Sequence, residues 1–364
     1  MSMIRTESSH PPVRPPVRPP VVGRLAPSPT GTLHLGNLAT SLLAWADVRR
    51  RGGHLILRIE DLDPPRVVPG AAEQLASDLR WLGLDWDEGS FLGATGTSGA
   101  GPAAPYDQAS RSAHYAAARR SLAERELVYP CTCSRREVEE ALSAPHNTFD
   151  PTTGYPGTCA GRRAGDAAGL RAAGQPFAWR FRARGDWTVH DRVCGATTAD
   201  LAVTPGDFVV ERRDGLYAYQ LAVVVDDGLM GVTTVLRGRD LLDSTPSQRA
   251  LAAALGYPPP ETVHVPLWVG EDGRRLAKRD GSAGRAGLEQ AGWSPAGVVG
   301  AIAALLGFTD HYEPLSAGEF ATLWQDAPLG TPVVHVPAAL FAGPRAFANL
   351  ALTTGVSCDP DHHR

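Results

Sequence analysis

The feature that most constrains this chain is the order of patterns between Val21 and Ile59. Val21 to Ala26 reads as a buried strand, and Pro27-Ser28-Pro29-Thr30-Gly31 as a turn. Residues 35–51 carry a helical pattern that Gly52-Gly53 stops, and His54 to Ile59 reads as a second strand. A strand, a turn, a helix and a second strand in that order build a parallel α/β sheet, because the right-handed crossover helix returns the chain beside its first strand. The expected fold class is therefore α/β, Rossmann-like. Such sheets bind ligands beyond the carboxyl ends of their strands, which puts the turn after Ala26 at the candidate site.

The rest of the chain fits a sheet domain with an insertion. Helical patterns recur near 70–82 and 109–126, separated by a Gly-, Ala-, Ser- and Thr-rich stretch at 93–105 that reads as a surface loop. From 128 to 200 the texture changes to cysteines, Tyr-Pro pairs and short β-like runs, Phe177 to Arg182 and Trp187 to His190. Ser134 and Glu137 form a capping box there. This span is expected to be an inserted lobe. It would divide a catalytic domain into halves at 21–127 and 201–270, followed by a loop and helical region at 271–350. Tyr219 to Val225, Thr233 to Leu236 and Val263 to Val269 are apolar, β-rich runs, although the first could open a helix. Thr245-Pro246 and Ser294-Pro295 open helices, and Gly307 closes the second. Residues 1–20, where Pro-Pro-Val-Arg occurs twice, read as a disordered tail or a basic arm for RNA, and 351–364 as a second tail.

With 364 residues, 43% of them apolar, the chain can bury a substantial core. A formal charge of −4 excludes a strongly basic coat, though not a local basic face. The longest apolar run, Ala296 to Phe308, has 13 residues and contains glycine, against about 20 for a membrane span. The N-terminus carries no apolar signal core, so the expected location is cytoplasmic. Five cysteines are too few and scattered for a disulfide scaffold and read as metal ligands or thiols in a reducing compartment. Of 35 basic residues only Lys278 is lysine. A solitary lysine among arginines is a candidate for chemistry that a guanidinium performs poorly.

Chemistry concentrates first in Arg24 to Asn37. Gly36 allows close backbone approach, and His34 and Asn37 offer donors at a helix N-terminus, a natural phosphate site. The run Pro-Ser-Pro-Thr-Gly-x-Leu-His-x-Gly-Asn resembles the first signature of class I aminoacyl-tRNA synthetases in the form of the glutamyl branch. Arg58 to Arg66, Tyr219 to Asp227 and Val235 to Leu242 continue the resemblance, and Arg275-Leu-Ala-Lys278-Arg279 resembles the second signature, with Arg275 for its first lysine and Ala277 for its serine. The resemblance covers roughly residues 22–290. It implies ATP-dependent activation of L-glutamate, with Mg2+ accompanying ATP. It assigns catalysis to His34, Asn37 and Lys278, and ATP binding to these and Gly36. Glutamate binding falls to Arg24, Leu25, Ala26, Pro27, Ser28, Glu60, Tyr219 and Arg237. Charge supports the last set: two cationic or donor clusters and one anion complement two carboxylates and one ammonium, and either arginine could take either carboxylate.

Cys131, Cys133 and Cys159 lie within 29 residues and suit a zinc site, with structural thiols as the alternative. By ligand type the fourth donor would be His146, whereas the resemblance implies Tyr155. Only 83 residues follow Gly281, fewer than the anticodon-binding region of glutamyl-tRNA synthetases needs. In that respect the chain resembles the glutamyl-queuosine tRNA(Asp) synthetase family. That implies tRNA(Asp) carrying queuosine as the second substrate and no obligate protein partner. Arg135-Arg136, Arg162-Arg163 and Arg180 to Arg184 could contact RNA phosphates. A truncated ligase charging a tRNA 3′ end and a non-catalytic RNA-binding paralogue are the alternatives.

Overall fold

A computed structural model describes residues 20–91, 101–134, 136–138, 155–203, 205–276 and 284–350. The expected tails, most of the 93–105 loop, and His146, Ala277, Lys278, Arg279 and Cys358 lie outside the described residues.

β1 (Val22–Leu25) and β2 (His54–Leu57) are parallel, with Val22 opposite His54 and Leu25 opposite Leu57. The helix joining them, α1 (Leu35–Arg50), is buried on most of its surface. Leu35, Leu38, Leu42 and Leu43 are inaccessible because the sheet covers one side and the helix Ala317–Leu323 another. β3 (Glu88–Gly89) pairs with the far side of β2. β4 (Val128–Cys131) and β5 (Ala178–Phe181) are antiparallel, and β6 (Asp186–Asp191) and β7 (Gly195–Asp200) form a hairpin. β8 (Phe208–Glu211) returns to pair with β5, so the β4-β5-β8 sheet draws on residues 128–211.

β9 (Thr234–Gly238) and β10 (Glu261–Val265) restore the parallel pattern, and β10 also meets β6 through Thr262 and Asp191. Thr233 N–H donates to the Val22 carbonyl at 2.9 Å, which sets β1 beside β9. The spatial order is thus β3-β2-β1-β9-β10-β6, and the direction of winding reverses between β1 and β9. Such a reversal leaves a crevice at the strand ends.

Of the apolar runs, one takes the helical alternative and another is broken in two. Tyr219 to Val225 opens the helix Tyr219–Met230 and is not a strand. Continuous burial hides the period of a short run, and length together with the left-handed Gly231 cap decides for helix. Val263 to Val269 is broken at Pro266, which has no N–H for a ladder. β11 (Leu267–Gly270) pairs instead with β12 (Val333–Val336). Thr245–Leu255 and Pro295–Leu306 are helices, the latter capped by the Ser294 hydroxyl and ended at Gly307. The Ser134/Glu137 capping box is present, with Glu137 N–H donating to Ser134 Oγ at 3.1 Å. Among the described residues no helix is long and apolar enough to cross a membrane.

Candidate active site

A cleft of about 740 Å³ opens at the carboxyl ends of β1, β2 and β9. Arg24, Leu25, Ala26, Pro27, Ser28, His34, Gly36, Asn37, Glu60, Tyr219 and Arg237 all line it. These residues come from stretches more than two hundred positions apart. Sequence patterns nominated them one by one, and the winding reversal brings them to one cavity. Lys278 lies outside the described residues. The positions bracketing its stretch do belong to the site: Leu276 lines the cleft, and Gly284 pairs by a backbone bridge with His34.

His34 is the N-cap of α1. Its Nδ1 accepts the Asn37 backbone N–H at 3.3 Å, and Asn37 Oδ1 accepts the His34 N–H at 3.3 Å. This reciprocal box fixes the neutral tautomer: with Nδ1 accepting, the ring proton resides on Nε2. What the pair can offer an anion is an imidazole N–H and an amide NH2, beside the positive end of a 16-residue helix. Gly36 lines the cleft and also has a packing reason to lack a side chain. A Cβ there would come within 3.0 Å of Trp268 Cβ and 3.1 Å of the His34 ring, so the glycine admits protein packing that holds the cap.

The cationic wall rests on buried counter-charges. Arg58 is fully buried and donates to Asp227 at 2.7 Å and Glu60 at 3.0 Å. Arg24 Nε lies 3.8 Å from the same Asp227, and its NH1 donates to the Leu236 carbonyl. Burial raises the Glu60 carboxyl above its ordinary range, against the pull of Arg58 and Arg24. Behind this layer Asp226 accepts from Arg111, Gln108 and Tyr115 at 2.5, 2.8 and 2.8 Å. Across the cleft, Arg237 Nε–H donates to His264 Nε2 at 3.0 Å, and His264 Nδ1–H donates to Asp191 at 2.6 Å. Burial holds the His264 imidazole below its ordinary value. Burial alone would raise Asp191, but hydrogen bonds from His264 and the Cys194 and Val193 N–H groups outweigh it and hold the carboxyl well below the usual range. Two guanidinium groups and one carboxylate around a single cavity complement a ligand with two anionic ends and one cationic one.

The thiol cluster stands apart, in the β4-β5-β8 lobe. Sγ of Cys133 and Cys159 are 3.6 Å apart, and all three sulfurs of Cys131, Cys133 and Cys159 lie within 4.8 Å of one another. The Tyr155 hydroxyl is 3.4 Å from Cys131 Sγ and 3.5 Å from Cys133 Sγ. A tetrahedral zinc with bonds of about 2.3 Å to sulfur and about 2.0 Å to oxygen sets sulfurs about 3.8 Å apart and sulfur to oxygen about 3.5 Å. The donors fit that shape. Arg180 supplies positive charge beside the cluster, since its Nε–H donates to Cys131 Sγ at 3.3 Å and its guanidinium lies 3.8 Å from the Tyr155 ring centroid, while burial holds the Cys133 thiol and the Tyr155 hydroxyl above their ordinary values. Burial pushes the Cys159 thiol up, but hydrogen bonds, chiefly from the Thr132 backbone and Tyr155, outweigh it and bring it down to about 7.

Residues 20–320 match the family model described as tRNA synthetases class I (E and Q), catalytic domain. A Glutamyl-Q tRNA(Asp) synthetase of Symbiobacterium thermophilum is 46% identical over 320 residues, covering 88% of this chain and 97% of that one. A second, from Nitratidesulfovibrio vulgaris, is 43% identical, covering 87% and 95%. The chain belongs to the glutamyl-Q tRNA(Asp) synthetase family. Among solved structures, a glutamate tRNA ligase from Elizabethkingia meningosepticum in complex with its amino acid superposes with a TM-score of 0.75 at 26% identity, covering 88% of this chain and 68% of that one. A class I synthetase ligase fold and glutamate-tRNA ligase-like activity follow from family membership.

In this family member, sequence reasoning missed the residues that hold the binding groups in place. Arg58, His264, Asp226 and Asp227 carried a signal: each is charged or polar in or beside an apolar run, where burial demands a partner. Three arginines of the arginine-rich stretches have partners within the lobe. Arg162 donates to Pro130 and Thr132, Arg182 to Glu126 and Ala160, and Arg184 to Asp207, so these side chains engage the lobe itself.

Proposed function

We propose that this synthetase activates L-glutamate with ATP and transfers it to the queuosine base at the wobble position of tRNA(Asp). A glutamate carboxylate oxygen attacks the α-phosphorus, the bond to the bridging oxygen breaks, and pyrophosphate leaves. A hydroxyl of the modified base then attacks the acyl carbon of the adenylate, loses its proton, and AMP departs. Arg24, Ser28, Tyr219 and Arg237 bind the two carboxylates and Glu60 the ammonium, with Leu25, Ala26 and Pro27 shaping the wall. His34, Asn37, Gly36 and the α1 N-terminus hold the nucleotide with its Mg2+. Lys278 stabilises the charge that builds on the phosphate oxygens. The observation that carries the reading is the single cavity lined by Arg24, Glu60, Arg237 and the His34 cap together, in a chain that shares 46% identity with a relative of that name.

The test supplies radiolabelled glutamate, ATP and tRNA(Asp) with or without queuosine. Label is expected on the wobble base of the queuosine-containing tRNA alone. An ester at the 3′-terminal adenosine would instead make the protein a 3′-charging ligase. Absence of glutamate-dependent pyrophosphate exchange into ATP would make it a non-catalytic paralogue.

One Zn2+ is assigned to Cys131, Cys133, Tyr155 and Cys159, where it would cross-link the end of β4 to the following segment. Purified protein is expected to carry one zinc per chain. Tyr155→Phe should weaken zinc retention against a chelator by about tenfold or more, and His146→Ala should not. The reverse result would move the fourth ligand to His146.

A further inference from the structure

Arg237 sits in β9 directly opposite His264 in β10, and Asp191 ends the next strand, β6. Three adjacent parallel strands therefore set guanidinium, imidazole and carboxylate side by side. The hydrogen bonds of Arg237 are divided unevenly. Its Nε–H is committed to His264 Nε2 at 3.0 Å. Its NH2 donates to Thr245 Oγ1 at 2.9 Å and to the Leu241 carbonyl at 3.2 Å. NH1 donates to the Tyr219 hydroxyl at 3.4 Å, and both residues line the cleft. Asp191 is itself immobilised, accepting N–H groups of Val193, Cys194 and His264 at 3.0, 2.9 and 3.2 Å besides the imidazole.

We propose that Asp191 and His264 are positioning residues that lock Arg237 with NH1 turned on the substrate, and that this lock sets the preference for a carboxylate over a carboxamide at that end of the cleft. The inference deepens the reading above and takes from it only the identity of the amino acid. The Asp191 carboxylate can only accept, so it holds the proton of His264 on Nδ1. Nε2 then presents a lone pair, which only a donor such as Arg237 Nε–H can meet. A protonated imidazole would set N–H against N–H. An arginine already fixed loses no rotamer freedom on binding, and its NH1 carries donors alone. A carboxylate oxygen satisfies it. A carboxamide must turn its NH2 away to find room, and a locked guanidinium does not swing to help.

The test compares His264→Asn and Asp191→Asn with the wild type in pyrophosphate exchange without tRNA. Asparagine at 264 keeps a donor for Asp191 near the Nδ1 position and removes the acceptor from Arg237. For His264→Asn the KM for glutamate should rise about tenfold or more. The KM for ATP should stay within about twofold and kcat within about threefold, with the preference for glutamate over glutamine falling in parallel with the glutamate KM. His264→Gln, which can carry a carbonyl near the Nε2 position, should recover part of the loss. If His264→Asn does not fold, Thr245→Ala removes one acceptor from NH2 and should shift the glutamate KM in the same direction by less. An unchanged glutamate KM in folded variants overturns the lock and leaves the proposed function standing. Exchange without transfer to queuosine overturns the function and leaves the lock standing. Should the wild type catalyse no exchange, the ¹⁵N spectrum decides. The Arg237 Nε–H must exchange slowly in the wild type and fast in His264→Asn; equal exchange in both overturns the lock.

Discussion

Lys278→Arg is expected to lower glutamate-dependent pyrophosphate exchange by about 10²- to 10³-fold while leaving the thermal midpoint unchanged. Activation builds charge on the phosphate oxygens in the transition state, and removing one well-placed donor from such a site costs about that much. The substitution keeps a positive charge, so long-range electrostatics is preserved. What changes is shape: a compact ammonium on a flexible stem becomes a planar fork with different reach. A chain that uses arginine at every other basic position and keeps one lysine makes this the sharpest available test. The described residues on either side of Lys278 belong to the site: Leu276 lines the cleft, and Gly284 bridges to His34. Exchange at saturating ATP and glutamate is the measurement. A Lys278→Arg enzyme within about threefold of wild type would remove lysine-specific chemistry from the mechanism.

Asp226→Ala is expected to destabilise the folded state by about 3–5 kcal/mol, because it breaks a buried ionic network on one side only. Asp226 is inaccessible and accepts Arg111, Gln108 and Tyr115 together, with Arg58 Nε 4.0 Å away. Without the carboxylate, Arg111 keeps a buried positive charge met, among the described residues, by the Ala103 and Pro105 carbonyls. Arg58 keeps Asp227 and Glu60, so the layer touching the cleft should be the less disturbed. A urea titration reads the effect as a lower midpoint at unchanged slope. A loss below about 1 kcal/mol would show that the network contributes little to folding.

The parts of the site legible in the sequence were those tied to local geometry. The His34/Asn37 cap is a short-range device, since both partners lie within one helical turn and the spacing alone implies the helix N-terminus. The thiols Cys131 and Cys133 are likewise close in sequence, two residues apart, whereas Tyr155 was implied only by the family resemblance and ligand type alone pointed to His146. The helix opened by Tyr219 was less legible. A buried helix and a buried strand both expose nothing to water, so neither leaves a polar stripe to betray its period. The break at Pro266 was marked by the residue itself, but which sheet each half joins depends on β12, more than sixty residues on.

The sequence by itself determined the class of layer, the capped helix start and the inventory of charges, because backbone propensity, capping and hydrophobic period act over a few residues. Only the tertiary structure decided that Arg24, Glu60, Tyr219 and Arg237 share one cavity, and that His264 and Asp191 stand behind Arg237. Those facts depend on which strands lie adjacent and in what register. A one-residue slip between β9 and β10 would turn His264 to the opposite face of the sheet from Arg237. Register is settled by packing the whole core, and no short window of sequence contains that information.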